Sequence, residues 1–224
     1  MNELHRHVPQ NRFGRDFVVS DLHGHLAVLQ RELERRFFTP GRDRLFSVGD
    51  LIDRGPDSPG TAALIRERWF HAVRGNHEDM LLRTLGGDRR MLDMWRLNGG
   101  EWGIEREQPS AAARAVAPLC ATLPYAITLH HRNGKRFGIC HAQCPVSDWG
   151  RIAEAAQDAL LQREMLWARE RVRQRDAPPT TGVDWTIHGH TVVHTPLASG
   201  NAMFIETGVF LPGGTLTLLC LDEL

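Results

Sequence analysis

Short apolar runs that stop at polar clusters organise the first third of the chain. Phe17-Val18-Val19 predicts a buried strand from Asp16 to Ser20 that runs straight into Asp21-Leu22-His23-Gly24-His25. Leu26, Leu29, Leu33 and Phe37 then recur at spacings of three or four, which predicts a helix with one apolar face. A second strand around Leu45 to Val48 leads into Gly49-Asp50-Leu51-Ile52-Asp53-Arg54-Gly55-Pro56, and a third around His71 to Val73 enters Arg74-Gly75-Asn76-His77-Glu78. The order is βαβαβ, which gathers residues from separated loops beyond the strand ends.

After Met80 to Leu85 the pattern becomes mainly helical. A Gly86-Gly87 turn, the Leu97 to Trp102 region and the Ala-rich 111–117 stretch predict an excursion over about 86–124 that covers or frames a cleft. Trp95 and Trp102 are read there as core or lid packing, because large rings bury in packed structure, and Asn98 as a cap or a cleft-loop residue. Strands follow at Tyr125 to Leu129, Arg136 to Cys140, Trp185 to Ile187, Ala202 to Ile205 and Leu216 to Leu219, with Asn133-Gly134 as a hairpin turn. Ile152 to Trp167 has the length and periodicity of one amphipathic helix. An α/β fold with mixed sheets packed inside helices fits this order better than a uniform βα barrel.

Length and charge narrow the class. The 224 residues suffice for one substantial core, and the expected unit is a single domain over 14–222. Lys plus Arg and Asp plus Glu both number 27, a balance that argues against a nucleic-acid wrapper. Four cysteines, Cys120, Cys140, Cys144 and Cys220, are too sparse for a disulfide scaffold. No signal-like N-terminal run and no stretch near membrane-spanning length is present, so a soluble cytoplasmic protein is expected. The terminal Leu221-Asp222-Glu223-Leu224 lacks the entry signal that would make it a retention address.

The polar clusters carry metal chemistry. Asp21 and His23 offer oxygen and nitrogen ligands for one cation, Asp50 can bridge to another, Asn76 can coordinate through its amide oxygen, and His141 and His190 each follow a further strand. Mixed Asp, Asn and His donors suit Mn²⁺, Fe²⁺ or Zn²⁺ better than calcium. Two cations roughly 3.5 to 4 Å apart can hold a hydroxide and stabilise both sides of a phosphoryl transfer. Arg54 and Arg169 can engage phosphate oxygens, and His77, oriented by Asp53, can exchange a proton near neutral pH. Other histidines are discounted: His25 as a turn or supporting residue, His188 as a support of the His188-Gly189-His190-Thr191 turn, His194 as peripheral. The pairs His5/His7 and His130/His131 are read as surface. Cys140-His141-Ala142-Gln143-Cys144 is read as a strand end and not as a separate zinc site.

Taken in order, these pieces resemble the metallophosphoesterase superfamily, and within it the bacterial serine/threonine protein phosphatases related to the bacteriophage lambda phosphatase. The matching segments are DLHG at Asp21, GDLIDRG from Gly49, RGNHE from Arg74, the His141 region, LWAR ending at Arg169 and HGHT from His188, with NGG from Asn98. The resemblance implies a four-layer αββα fold, a central β-sandwich of mixed sheets flanked by helices. It implies that Asp21, His23, Asp50, Asn76, His141 and His190 hold two divalent ions, most readily Mn²⁺ in assays. Arg54 and Arg169 then bind phosphate, and His77 with Asp53 protonates the leaving oxygen. The implied activity is direct hydrolysis of phosphoserine or phosphothreonine monoesters in proteins, extending to phosphotyrosine or phosphohistidine, by hydroxide held between the metals. A monomer is expected.

GDLIDRGP also resembles the dinucleoside tetraphosphate hydrolases, the alternative enzyme class, and an inactive phosphate-binding or protein-binding module is the non-enzyme alternative. Two positions depart from the common pattern: Gln143 stands two after His141 where an acidic residue is frequent, and Glu206-Thr207-Gly208 replaces Asp-Thr-Gly. Neither removes an assigned ligand.

Overall fold

In this computed structural model, which describes residues 3–174 and 176–224, the first elements are β1 (His5–Val8), β2 (Asp16–Val19), α1 (Leu26–Arg35), β3 (Arg44–Ser47), α2 (Ser58–Ala63), β4 (Phe70–Ala72) and α3 (Asn76–Leu85). The excursion follows as α4 (Arg89–Leu97), a small hairpin of β5 (Ile104–Glu105) and β6 (Gln108–Pro109), and α5 (Ala111–Cys120). The remainder is β7 (Ala126–His130), β8 (Arg136–Cys140), α6 (Ile152–Ala155), α7 (Ala159–Trp167), β9 (Trp185–His188), β10 (Leu197–Ser199), β11 (Ala202–Phe204) and β12 (Leu218–Cys220).

Strands β2, β3 and β4 run parallel, with β12 antiparallel on the outer side of β2. Such strands are covered on both faces, which is why β2 reads as an unbroken apolar run. Alternation still sorts its residues: Phe17 and Val19 join the core beneath the helices, while Val18, with Phe46 and Val48 from β3 and its end, joins the core between the sheets. Across that interior lies a six-stranded mixed sheet in the order β1-β7-β8-β9-β11-β10, contributing Ile127, Leu129, Phe137, Ile139 and Ile187. On its far face Ala126, Cys140 and Trp149 pack against Ile152 of α6 and Met165 and Leu166 of α7. The layers are helices, sheet, sheet, helices, as the αββα expectation requires.

Several local expectations need correction. The helix expected over 152–167 is interrupted, because Asp158 accepts from the backbone N–H groups of Leu160 and Leu161 and starts α7 afresh. Helix α1 ends at Arg35, and Phe37 turns outward at φ 50°, 85% exposed, instead of extending the apolar face. Strands β1 and β10 had no apolar run to announce them. His5 and His131 are not surface residues: His5 is half-buried in β1 against the Thr128 hydroxyl, and His131 is buried. Asn98 caps the end of α4 and donates to the Met94 carbonyl. Among the described residues no helix is long and apolar enough to cross a membrane.

Candidate dimetal centre

All three parallel strands of the smaller sheet point their C-terminal ends at one spot. The loop after β2 supplies Asp21 and His23, the loop after β3 supplies Asp50, Asp53 and Arg54, and the turn after β4 opens α3 with Asn76 and His77. From the larger sheet the end of β8 supplies His141 and the end of β9 supplies His190. The backbone there is held in an unusual conformation. Among the described residues eight non-glycine residues have positive φ, and five of them are His23 (41°), Asp50 (48°), Asp53 (75°), Arg54 (68°) and His190 (64°). Each such residue costs about 1–3 kcal/mol, strain that persists only where the surroundings enforce it.

Close backbone approach completes the frame. A Cβ on Gly75 would lie 2.1 Å from Asp50 Oδ1, and one on Gly189 would lie 2.0 Å from Asp21 Oδ1. Only glycine lets those two loops seat the carboxylates.

Asp50 sits at the middle. Its Oδ2 is 3.3 Å from His141 Nε2 and 3.8 Å from both His23 Nε2 and His77 Nε2, while Oδ1 accepts from the His77 backbone N–H at the start of α3. Donor atoms of His23, Asp50 and His77 form one group, and those of Asp50, His141 and His190 a second, so Asp50 is common to both. Asn76 Oδ1 lies 2.9 Å from His141 Nε2 and 2.8 Å from His190 Nδ1, which places it in the second group. Asp21 stands beside His190, whose backbone N–H it accepts at 3.0 Å, and is not itself part of either compact group.

Ring orientation is fixed from behind. His23 Nδ1 donates to the Ile52 carbonyl at 3.1 Å and His141 Nδ1 to the Val48 carbonyl at 2.8 Å, leaving the Nε2 lone pairs aimed inward. A backbone-anchored Nδ1–H that turns Nε2 toward the centre is the orientation a metal-binding imidazole needs. Burial drives His190 down to about 3 and, with His77 nearby, His23 well below the usual value, so both rings are neutral. Burial also opposes protonation of His141, but Asp50 outweighs it and raises that ring. Burial works against charge on Asp50 as well, and His141, followed by His77, overcomes it and holds that carboxyl well below its ordinary range.

The donors present fit divalent cations. Asp21, Asp50, Asp53, Glu78 and Glu206 are all buried around a centre that Arg54 and Arg169 approach from outside. That concentration of buried oxygen charge, with neutral imidazoles interleaved, suits two positive ions. Arg54 Nη1 donates to His23 Nε2 at 2.9 Å, and Arg169 Nε donates to His190 Nε2 at 3.2 Å, so the two guanidiniums flank opposite ends of the centre. His188, by contrast, spends both ring nitrogens on the Cys140 carbonyl and the Thr186 hydroxyl and supports the turn.

The family model for calcineurin-like phosphoesterases matches residues 17–194, the span from β2 to just beyond the His190 turn. The chain belongs to the calcineurin-like phosphoesterase family. Serine/threonine-protein phosphatase 1 of Salmonella typhimurium is 36% identical over 217 residues, covering 96% of both chains. A symmetrical bis(5'-nucleosyl)-tetraphosphatase of Pseudomonas fluorescens is 34% identical over 133 residues, covering 56% of this chain and 41% of that one. Among solved structures, a protein serine/threonine phosphatase from Saccharomyces cerevisiae shares the fold with TM-score 0.63 at 16% identity, covering 92% of this chain and 71% of that one. Its likeness bears on the fold alone.

Three supports of this phosphoesterase centre escaped sequence reasoning. His77 Nδ1 donates to Asp53 Oδ2 at 2.6 Å, as expected, but Asp53 also accepts from two indoles: Trp95 Nε1 at 2.9 Å and Trp102 Nε1 at 2.6 Å. Both tryptophans come from the helical excursion, so packing is only half of their role. Glu78 is buried and accepts from the backbone N–H groups of Asp50, Leu51 and Gly75, clamping the loop after β3 to the turn after β4. Burial and the nearby Asp50 push its carboxyl up to about 7. An acid three residues into a helix after a glycine was the available signal for this clamp. Phe210 stacks on the Arg54 guanidinium with 4.1 Å to its ring centroid, and nothing in its local sequence announces that. Of the two unusual positions, Glu206 accepts the Asp21 backbone N–H at 3.1 Å, and Gln143 accepts the Arg171 backbone N–H at 3.1 Å. The longer Glu206 therefore still backs the Asp21 loop.

Proposed function

We propose that this chain is a metal-dependent phosphoprotein phosphatase that hydrolyses phosphoserine and phosphothreonine monoesters, acting as a monomer in the cytoplasm with no nucleic-acid partner. The observation that carries the chemistry is Asp50, one buried carboxylate common to two nitrogen-rich donor groups. In this reading residues 14–222 are one catalytic unit, β1 completes its larger sheet, and 86–124 frames the mouth.

Asp21, His23 and Asp50 would hold one cation, and Asp50, Asn76, His141 and His190 the other, with Mn²⁺ the most effective in assays and Fe²⁺ or Zn²⁺ as alternatives. Two such ions supply Lewis-acid polarisation of the phosphate and a low-pKa water. Arg54 and Arg169 clamp the phosphoryl oxygens through charge-assisted hydrogen bonds. His77 holds the proton for the leaving oxygen at Nε2, a buried atom that has no hydrogen-bond partner among the described residues. Asp53 fixes the ring through Nδ1, and the Trp95 and Trp102 indoles keep that carboxylate from rotating. Because the nucleophile is water, no phosphorylated residue lies on the path.

Substrate class rests on the comparison of relatives. The protein phosphatase match is 36% identical over 96% of the chain, whereas the tetraphosphatase matches are either shorter, 34% identical over 56% of the chain, or weaker, 26% identical over 92% of it. The second reading, dinucleoside tetraphosphate hydrolysis, keeps the same centre and is separated by rate. Initial rates are compared for phosphoserine, phosphothreonine and phosphotyrosine peptides and a dinucleoside tetraphosphate, with Mn²⁺ and in a metal-free control. Metal-dependent phosphate release that is fastest from the serine and threonine peptides is the expected result. Preferential cleavage of the dinucleotide assigns the centre to nucleotide chemistry instead.

A further inference from the structure

Beside the metal centre, between α3, the start of α4 and α7, a cavity of about 940 Å³ opens to solvent. Its cations are Arg83, Arg89, Arg90 and Arg163 and its carboxylates are Asp79 and Asp88. Asp88 is already committed, pairing with Arg83 at 2.7 Å and capping α4. Burial raises the Asp79 carboxyl above its ordinary value, with Arg83 and Arg74 pulling the other way. Three arginines, Arg89, Arg90 and Arg163, are exposed and have no ion pair or side-chain hydrogen bond among the described residues. Arg89 and Arg90 occupy the first turn of α4, where the helix dipole disfavours cations. Helix stability gives no reason for them there. The wall between the charges is apolar and flexible, with Met91, Met94 and Trp167.

Two features join this cavity to the catalytic centre. Trp167 lines it and stands edge-on to His190, ring centroids 6.1 Å apart. Helix α3 carries His77 in its first turn and Arg83 six residues on, a rise of about 9 Å along the axis. An extended peptide crosses that distance in about three residues.

We propose that the cavity is a substrate subsite in which Arg89, Arg90 and Arg163 select phosphoproteins carrying anionic side chains about three or more residues from the phosphorylated one. The proposal rests on the phosphoprotein reading of the centre and adds a sequence preference to it. A carboxylate and a second phosphate share the chemistry the arginines recognise. Trp167, Met91 and Met94 pack the stems of the intervening residues.

The test uses three matched phosphothreonine peptides, with glutamates, phosphoserine or alanines three and four residues from the phosphothreonine, each placed on either side in turn. The measured quantity is the ratio of kcat/KM, anionic over neutral, within each protein, with phosphate release read at the phosphothreonine by mass. In the natural chain that ratio is expected near ten-fold at low salt on one side, expressed in KM, and reduced by added salt. The glutamate and phosphoserine arms show which anion is favoured. The triple variant Arg89→Ala, Arg90→Ala, Arg163→Ala brings the ratio close to one, while Arg151→Ala, an exposed arginine elsewhere, keeps it. A ratio near one in the natural chain with all peptides hydrolysed overturns the subsite and leaves the phosphatase reading standing. A preference that survives the triple variant overturns its assignment to this cavity. Failure to hydrolyse any of the peptides while a small aryl phosphate is turned over removes the phosphoprotein reading, and the subsite with it.

Discussion

The loops at the strand ends and the helical excursion reach the same carboxylate, Asp53, by different routes. The loop after β3 places Asp53 itself through local backbone geometry, at φ 75° and with its N–H donated to the Ser58 hydroxyl. The excursion brings Trp95 and Trp102 to Asp53 from 42 and 49 residues away, through packing that includes Gly100 and Gly103 against the Trp95 ring. Five residues that would carry the chemistry, His23, Asp50, Asp53, Arg54 and His190, are positioned by short, strained turns, whereas the indoles that immobilise Asp53 arrive through tertiary structure. The first kind of placement is sensitive to single backbone positions, and the second degrades by steps.

Substitutions grade that difference. Asp50→Asn keeps the shape of the loop but weakens the one ligand common to both donor groups, and turnover is expected to fall about 10³-fold or more. Phosphate release at saturating Mn²⁺ measures it, and an unchanged rate would remove Asp50 from the bridging position. His77→Asn and Asp53→Asn are each expected to lower kcat about 10²- to 10³-fold on phosphoserine peptides. The loss shrinks on p-nitrophenyl phosphate, whose leaving oxygen needs little protonation, and an equal loss on both substrates would mark His77 as a ligand alone.

On the excursion side, Trp95→Phe and Trp102→Phe each delete one indole N–H donor to Asp53. A decrease in kcat of about ten-fold is expected for each, of the size that supporting hydrogen bonds typically carry. If either variant matched the natural kcat and its leaving-group dependence, the excursion would be packing only.

Much of this was legible before the structure. His23, Asp50, Asn76, His141 and His190 lie shortly beyond their strands, so residue type and spacing pointed to the cluster that the structure gathers, with Asp21 standing beside it, and the alternation of β2 between two cores follows from the two-residue period. The indoles were less legible because nothing near Trp95 or Trp102 encodes a hydrogen bond to a residue so distant in sequence. Asp158 split the expected long helix because a side-chain cap competes locally with helix continuation. The half-buried position of His5 went unread because pairing of β1 with β7 placed it, and the buried one of His131 because its ring packs against Phe137 and faces Asp222 just past the end of β7.

The smallest effect touches neither region and measures the scaffold. Burial, together with Arg44 and Arg6, lowers His71 from 6.5 to about 4, and burial with His7 does the same to His5. A histidine depressed in the folded state binds fewer protons there than in the unfolded chain, so its stabilising share is complete above about pH 6.5 and is lost as pH falls toward about 4. Thermal unfolding between pH 7 and 4 is expected to show a falling Tm. His71→Phe, which retains the stacked contact with Phe46, makes that fall shallower. An unchanged slope would place the acid sensitivity elsewhere.

The most direct measurement counts the ions. Equilibrium dialysis against Mn²⁺ followed by elemental analysis gives the metal bound per chain for the natural protein and for Asp50→Asn, with the fold checked by circular dichroism. Two ions per natural chain, both weakened together in the folded variant, is the expected result. A single ion, or two ions that Asp50→Asn leaves in place, would contradict a centre built around one shared carboxylate.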